Sequence, residues 1–394
     1  MWHLALILLL LGVGAQELVE LGAEEDEVEC GVRNLGGLRV QGAVGQDGAG
    51  FGEWPHVCIL LTHRLTPTWG LEGAKDFQCM ASLLDSGALL TAAHCVNQLL
   101  STPEVMVVRC GEWDSSGNHS AENLPHQERN VTRVVVHPKF HAGGDQFPEY
   151  SNDLAVIFLA EAFQLDAHLN PVCLPDSTSN YDATNCFVTG HGKNASGGSY
   201  QPILKTVGVS IWDNEACKQS IEGVSSNLSP SDVCAAGAGG QGSCMGDDGG
   251  ALVCSSSTFL QAGVVSWWPG EICGEAAGSK TSPGVYAGVA AASCWIRGIL
   301  QCGPSDTRCH GGVLRNCSKC RSNFRQDTTL TGKKNGGNRG RTRSIGQCWA
   351  RCRKRPDCRF ISWVRRGRRA NLCTLLRTKG RARKAKGAVS GKGC

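Results

Sequence analysis

Three short stretches of this 394-residue chain carry residue types that do chemistry. Thr91-Ala92-Ala93-His94-Cys95 sets an imidazole among small residues, and Asn152-Asp153-Leu154-Ala155 sets a carboxylate ahead of an apolar run. Cys244-Met245-Gly246-Asp247-Asp248-Gly249-Gly250-Ala251 sets two adjacent carboxylates among glycines. A histidine exchanges protons near neutral pH, and a carboxylate can orient it, attack as a nucleophile or bind a metal. A metal is disfavoured, because one carboxylate beside one histidine lacks the third protein ligand that zinc normally takes. No hydroxyl or thiol lies between Gly246 and Ala251. A base with nothing to deprotonate performs no acyl transfer, so the set reads as an incomplete site.

The elements that position these stretches are short and extended. ILLTH, EVMVVRC, VTRVVVH, LAVIFLA, CFVTG, LQAGVVSW and GVYAGV are β-rich runs separated by turn residues, without helical periodicity. Such spacing predicts a β-barrel or sandwich. Twenty-two cysteines fit an oxidising compartment and a disulfide framework. The opening MWHLALILLLLGVGA is too short to span a bilayer and closes on small residues, so residues 1–15 read as a cleaved signal. No later stretch is apolar enough to cross a membrane, and five Asn-x-Ser/Thr triplets (Asn118, Asn130, Asn194, Asn227, Asn316) suit a secreted glycoprotein.

The three stretches, in this order, resemble the histidine, aspartate and nucleophile loops of chymotrypsin-like serine proteases. The last follows G-D-S-G-G-P, with Asp248 at the serine and Ala251 at the proline. The resemblance implies two six-stranded antiparallel barrels with the site between them, and a triad reduced to His94, Asp153 and an inactive Asp248. A carboxylate at Asp248 would also place negative charge where an oxyanion must develop. Asp153 and Asp248 flanking His94 would raise its pKa. Gly242 stands at the specificity-selecting position, and Ser266-Trp267-Trp268 at the pocket wall, where Trp268 replaces a family glycine. The family's activating I-V-G-G matches Ala43-Val44-Gly45-Gln46 without a preceding arginine; Arg33 and Arg39 are the basic residues left upstream. By the same analogy Cys79–Cys95, Cys186–Cys254, Cys217–Cys234 and Cys244–Cys273 are core bridges, and Cys30–Cys173 ties an upstream segment to the barrel. Cys58 and Cys110, on neighbouring expected strands, make a sixth pair.

Cys30-Gly31-Val32-Arg33-Asn34, Phe51-Gly52-Glu53-Trp54-Pro55 and Gly111-Glu112-Trp113-Asp114 are similar to arthropod serine protease homologues of the masquerade and prophenoloxidase-activating-factor type. That group implies non-enzymatic cofactors or recognition proteins of innate immunity, with other secreted cascade proteins as partners and no cofactor. The clip domain usual in that group is not expected here, since only Cys30 precedes Cys58.

Charge divides the chain. Of 39 Lys and Arg and 35 Asp and Glu, the last 94 residues hold 26 and 3, a net +23 that leaves −19 for the rest. The cysteines and Phe360-Ile361-Ser362-Trp363 of this tail resemble a PAN/apple module, which implies a small sheet on one helix and bridges Cys348–Cys373, Cys352–Cys358 and Cys320–Cys394. Its basic clusters are Arg351, Arg353, Lys354 and Arg355; Arg365, Arg366, Arg368 and Arg369; and Arg381, Arg383, Lys384 and Lys386. Such density favours polyanionic surfaces, namely sulfated glycan, lipopolysaccharide or microbial wall. Nucleic acid is the poorest candidate for a secreted protein, although Trp349 and Trp363 offer stacking surfaces. The organisation expected is a signal (1–15), an acidic propeptide-like segment (16–42), a trypsin-like domain (43–302) and a basic PAN/apple-like domain (303–394). The rival readings are a residual serine-type endopeptidase and a matrix or adhesion protein that binds sulfated glycans.

Overall fold

The computed structural model describes residues 29–38, 48–63, 75–116, 122, 124–142, 150–176, 179, 182–193, 198–220, 228–238, 241–268 and 283–302, together with the backbone of five strands between 325 and 392. β1 (Val57–His63), β2 (Lys75–Asp85), β3 (Ala88–Thr91), β4 (Met106–Cys110), β5 (Gln127–Val136) and β6 (Ala155–Leu159) close into a first barrel in the order β1-β2-β3-β6-β5-β4. β7 (Asp182–Gly190), β8 (Lys205–Trp212), β9 (Val233–Ala236), β10 (Ala251–Ser255), β11 (Phe259–Trp267) and β12 (Gly284–Gly288) close a second, ordered β10-β11-β12-β9-β8-β7. All pairings within the two barrels are antiparallel, so the chain folds as the two six-stranded barrels that the resemblance implied.

Closure leaves no free sheet edge and turns alternate side chains inward. Leu60, Leu89, Leu90, Val108 and Ile157 fill the first barrel with no exposed surface, each removal from water contributing about 1.5–3 kcal/mol. Cys58–Cys110 and Cys186–Cys254 join neighbouring strands, β1 to β4 and β10 to β7. Cys79–Cys95, Cys217–Cys234 and Cys30–Cys173 are also present. Cys244 and Cys294 are disulfide-bonded too, while Cys273 and Cys302's side chain lie outside the described residues.

Short helices α1 (Ala93–Val96) and α2 (Asn214–Ser220) lie within the barrel connections. A longer α3 (Val289–Cys302), which the all-strand reading did not foresee, follows β12 and buries Trp295, Ile296 and Ile299 against the main apolar cluster. Its first turns, VAAAS, hold three alanines, which favour a helix over a strand. The tail forms an antiparallel sheet of β13 (Arg325–Leu330), β14 (Lys334–Arg341), β15 (Phe360–Val364), β16 (Leu372–Leu376) and β17 (Ala382–Lys392), ordered β13-β17-β15-β16-β14. The helix and bridges expected for a PAN/apple module lie outside the described residues.

Candidate functional site

Strand register brings the site together. β3 pairs with β6 so that Thr91 faces Ala155, which leaves His94, one turn beyond β3, beside Asp153, just before β6. Asn152 sits at φ 49°, a left-handed position that asparagine tolerates better than most side chains. The turn aims Asp153 inward, where its side chain is only 1 % exposed. Asp153 Oδ1 accepts the backbone N–H of His94 at 2.9 Å, and Oδ2 lies 2.7 Å from His94 Nδ1. Ser266 Oγ, on β11 of the second barrel, donates to the same Oδ2 at 2.6 Å. Three donors therefore hold one buried carboxylate from both barrels.

Asp248 comes from the second barrel, but its backbone is fixed by both. Its carbonyl accepts the N–H of Met80 on β2 at 2.7 Å, and Gly249 N–H donates to Val265 O at 2.9 Å. Asp248 Oδ1 stands 3.8 Å from His94 Nε2. Its other oxygen accepts the N–H of Gly246 at 3.3 Å, and the carboxylate also takes its own amide N–H. Gly246 adopts φ 94°, and a Cβ there would lie 2.6 Å from the Tyr200 ring, so the turn that aims this amide requires glycine.

The electrostatics follow. Burial alone would lower the pKa of His94, but the Asp153 hydrogen bond and the charges of Asp153 and Asp248 raise it above the ordinary value. This is the direction expected from two flanking carboxylates. Burial pushes Asp248 up, against the opposing effects of His94 and the two amides. Asp247 is pushed up to about 7 by burial, although the N–H groups of Cys244 and Gly192 both donate to it at 2.9 Å. Among the described residues no cation acts on Asp247.

A family model described as Trypsin matches residues 51–296, well over half of the chain. The chain belongs to the trypsin family. Its relatives in that family include serine proteinase stubble of Drosophila melanogaster, 35 % identical over 68 % of this chain and 32 % of stubble. Phenoloxidase-activating factor 2 of Galleria mellonella is 34 % identical over 69 % of this chain and 89 % of that protein. Inactive CLIP domain-containing serine protease A8 of Anopheles gambiae is 30 % identical over 72 % and 75 %. The chain thus spans about a third of stubble's length but most of the other two.

Within this trypsin-family cleft, Trp267 is 5 % exposed and clusters with Cys217, Cys234 and Val285. Trp268, next along, is half-buried. At Gly242 a Cβ would meet the Tyr286 hydroxyl at 3.9 Å, and Ser243 Oγ donates to that hydroxyl at 3.1 Å. Sequence reasoning missed Tyr150, whose ring stacks on His94 at 4.6 Å between centroids and 8° between planes. Nothing in its local sequence marks it, because the contact joins rings far apart in the chain.

Elsewhere, Glu112, Glu122 and His126 bring possible ligand atoms within 4.8 Å, but Glu112 already accepts Arg109 Nη1 at 2.9 Å. Cys79, His94 and Cys95 also lie together, but the two sulfurs are bonded to each other. Of the basic tail, Arg383, Lys384 and Lys386 lie on β17. Arg351, Arg353, Lys354, Arg355, Arg365, Arg366, Arg368, Arg369 and Arg381 lie outside the described residues. Among the described residues no helix is long and apolar enough to cross a membrane.

Proposed function

We propose that this chain is a secreted, non-catalytic member of the trypsin family that serves as a cofactor or recognition protein in an immune protease cascade. Its basic tail, residues 303–394 read as a PAN/apple-like module, would hold it to a polyanionic surface. The observation that carries the first part is Asp248. An acyl-transfer site needs a hydroxyl that His94 can deprotonate, and amide donors free to receive the developing oxyanion. At this position stands a carboxylate, which takes the N–H groups of Gly246 and of Asp248 itself. His94 lies between two acids, its pKa raised, which favours a cation over a base. Asp247, on which no cation acts among the described residues, and Tyr150 across the His94 ring support the same reading. So do relatives named as phenoloxidase-activating factors and as inactive CLIP proteases.

The tail's part is carried by its +23 charge. Retention of the full chain on heparin and on microbial wall across a salt series tests it. Loss of retention between about 0.1 and 1 M salt is expected, since the Debye length falls there from roughly 10 to 3 Å. Full-length protein with Arg365, Arg366, Arg368 and Arg369 replaced by Gln should elute earlier. Equal retention of the two proteins would remove the tail from surface binding. Selectivity for host sulfated glycan over microbial wall would favour the matrix reading instead. The geometry of His94, Asp153 and Ser266 is what favours a residual peptidase, and hydrolysis of peptide substrates discriminates that reading.

A further inference from the structure

Upstream of β1, one arginine is held in a cage built by both barrels. The Arg33 guanidinium carbon lies 4.4 Å from the ring centroid of Trp54 and 4.3 Å from that of Phe187, with Phe259 at 5.9 Å. Its Nε and Nη2 both donate to Glu53 Oε1, at 2.9 and 2.7 Å, while Glu53 Oε2 accepts the N–H of Gly50 at 2.9 Å. The side chains of Arg33 and Glu53 are only 18 % and 7 % exposed. Glu53 and Trp54 lead into β1 of the first barrel, whereas Phe187 lies on β7 and Phe259 on β11 of the second. A guanidinium suits this place because it is planar, weakly hydrated and forked, so it can stack on rings while bonding a carboxylate.

The backbone on either side is committed as well. Gly31 N–H donates to Pro171 O at 2.8 Å, and Phe259 N–H donates to Gly31 O at 3.0 Å. Asn34 N–H donates to Glu53 O at 3.0 Å, and Asn34 Nδ2 reaches the carbonyls of Gly52 and Ala167, both at 2.8 Å. Leu38 N–H closes onto Phe51 O at 2.7 Å, and Cys30–Cys173 anchors the other end.

We propose that residues 30–38 form a strap across the seam between the barrels, keyed by Arg33, and that the strap withdraws the Arg33–Asn34 bond from arginine-specific proteolysis. A protease that cuts after arginine must draw the guanidinium into its own pocket and align the flanking backbone in extended form. Here the guanidinium is held against the neighbouring rings of Trp54 and Phe187 and bonded to Glu53, and the amide of the bond itself, Asn34 N–H, is bonded to Glu53 O. Cleavage would require the strap to lift from both barrels, so its rate follows the population of that open state. Of the two basic residues upstream of Ala43, Arg33 and Arg39, the strap would make Arg33 the poorer place for a cut. A cut further along the chain then leaves the strap in place. The proposal does not depend on whether the cleft is catalytic.

Digestion of the full native chain with bovine trypsin, followed by reduction and mass spectrometry of the peptide ending at position 33, tests it. The native bond should be cut at least about a hundredfold more slowly than in the urea-unfolded chain. Arg33→Lys keeps a trypsin site but loses the fork and the stacked plane, so native cleavage at position 33 should accelerate about tenfold or more. Phe187→Ala should accelerate it too, by opening one side of the cage. Native cleavage as fast as in the unfolded chain would overturn the strap. So would an unchanged native rate in Arg33→Lys, a substitution that keeps the positive charge.

Discussion

The half of the site given by the first barrel and the half given by the second differ in how they are held. From the first come His94 and Asp153, joined at 2.7 Å and tied to Ser266 across the cleft. From the second come Asp248, Asp247 and Gly242, none of which supplies a hydroxyl. The difference lies in what each side chain supports. Asp153 holds three hydrogen bonds in a buried place, so its removal damages packing as well as chemistry. Asp248 is held to β2 through its carbonyl oxygen, a contact indifferent to the side chain. The fold therefore constrains one position tightly and leaves the other free to change.

The sharpest way to break that comparison is to truncate each acid in turn. Asp153→Ala should lower unfolding free energy by about 3 kcal/mol, because it strands buried donors. Asp248→Ala should change it by about 1 kcal/mol or less, since Asp248's backbone contacts survive. Urea unfolding of both variants measures this, and equal losses would erase the distinction.

Buried ionisable groups on either side of the cleft also respond to pH, in opposite directions for histidine and aspartate. His56 and His137, on the first-barrel side, are lowered to about 4 from 6.5 by burial, the latter also by Lys139. The unfolded chain binds their protons more readily, so the stability they contribute is present above pH 6.5 and is lost as pH falls towards 4. Asp232 and Asp247, in the second barrel, are raised to about 7 from 3.8 by burial. Their contribution is full below pH 3.8 and is lost as pH rises through 7. Asp247→Asn should therefore gain up to about 4 kcal/mol relative to wild type between pH 4 and pH 8, read from Tm across that range. His137→Phe should show a smaller difference of opposite slope.

A third and smaller effect concerns the charge between the halves. Replacing Asp248 with Asn should lower the pKa of His94, since one of its two flanking carboxylates becomes neutral at 3.8 Å. A histidine titration by NMR reads this directly, and an unmoved value would show that Asp153 alone sets the pKa.

The parts of the molecule legible in the sequence were those with local signals. VTRVVVH and LAVIFLA declare strands through β-branched and apolar runs, and the loops of His94, Asp153 and Asp248 carry enough small residues to be recognised. β2, with KDFQCMASLLD, was not foreseen, because its exposed first half and fully buried second half show no single alternation. β8 is half-buried along most of its length and equally silent. The Tyr150 stack and the Arg33 cage arise from residues far apart in sequence, which only the closed barrels bring together.

Turnover of chromogenic peptide esters by the purified chain, with His94→Ala as background, most directly tests the claim that this cleft is not catalytic. The account predicts no hydrolysis above buffer from the wild-type chain, and none that His94→Ala removes. Hydrolysis by the wild-type chain that disappears in His94→Ala would contradict it, because the histidine would then be activating a nucleophile despite Asp248.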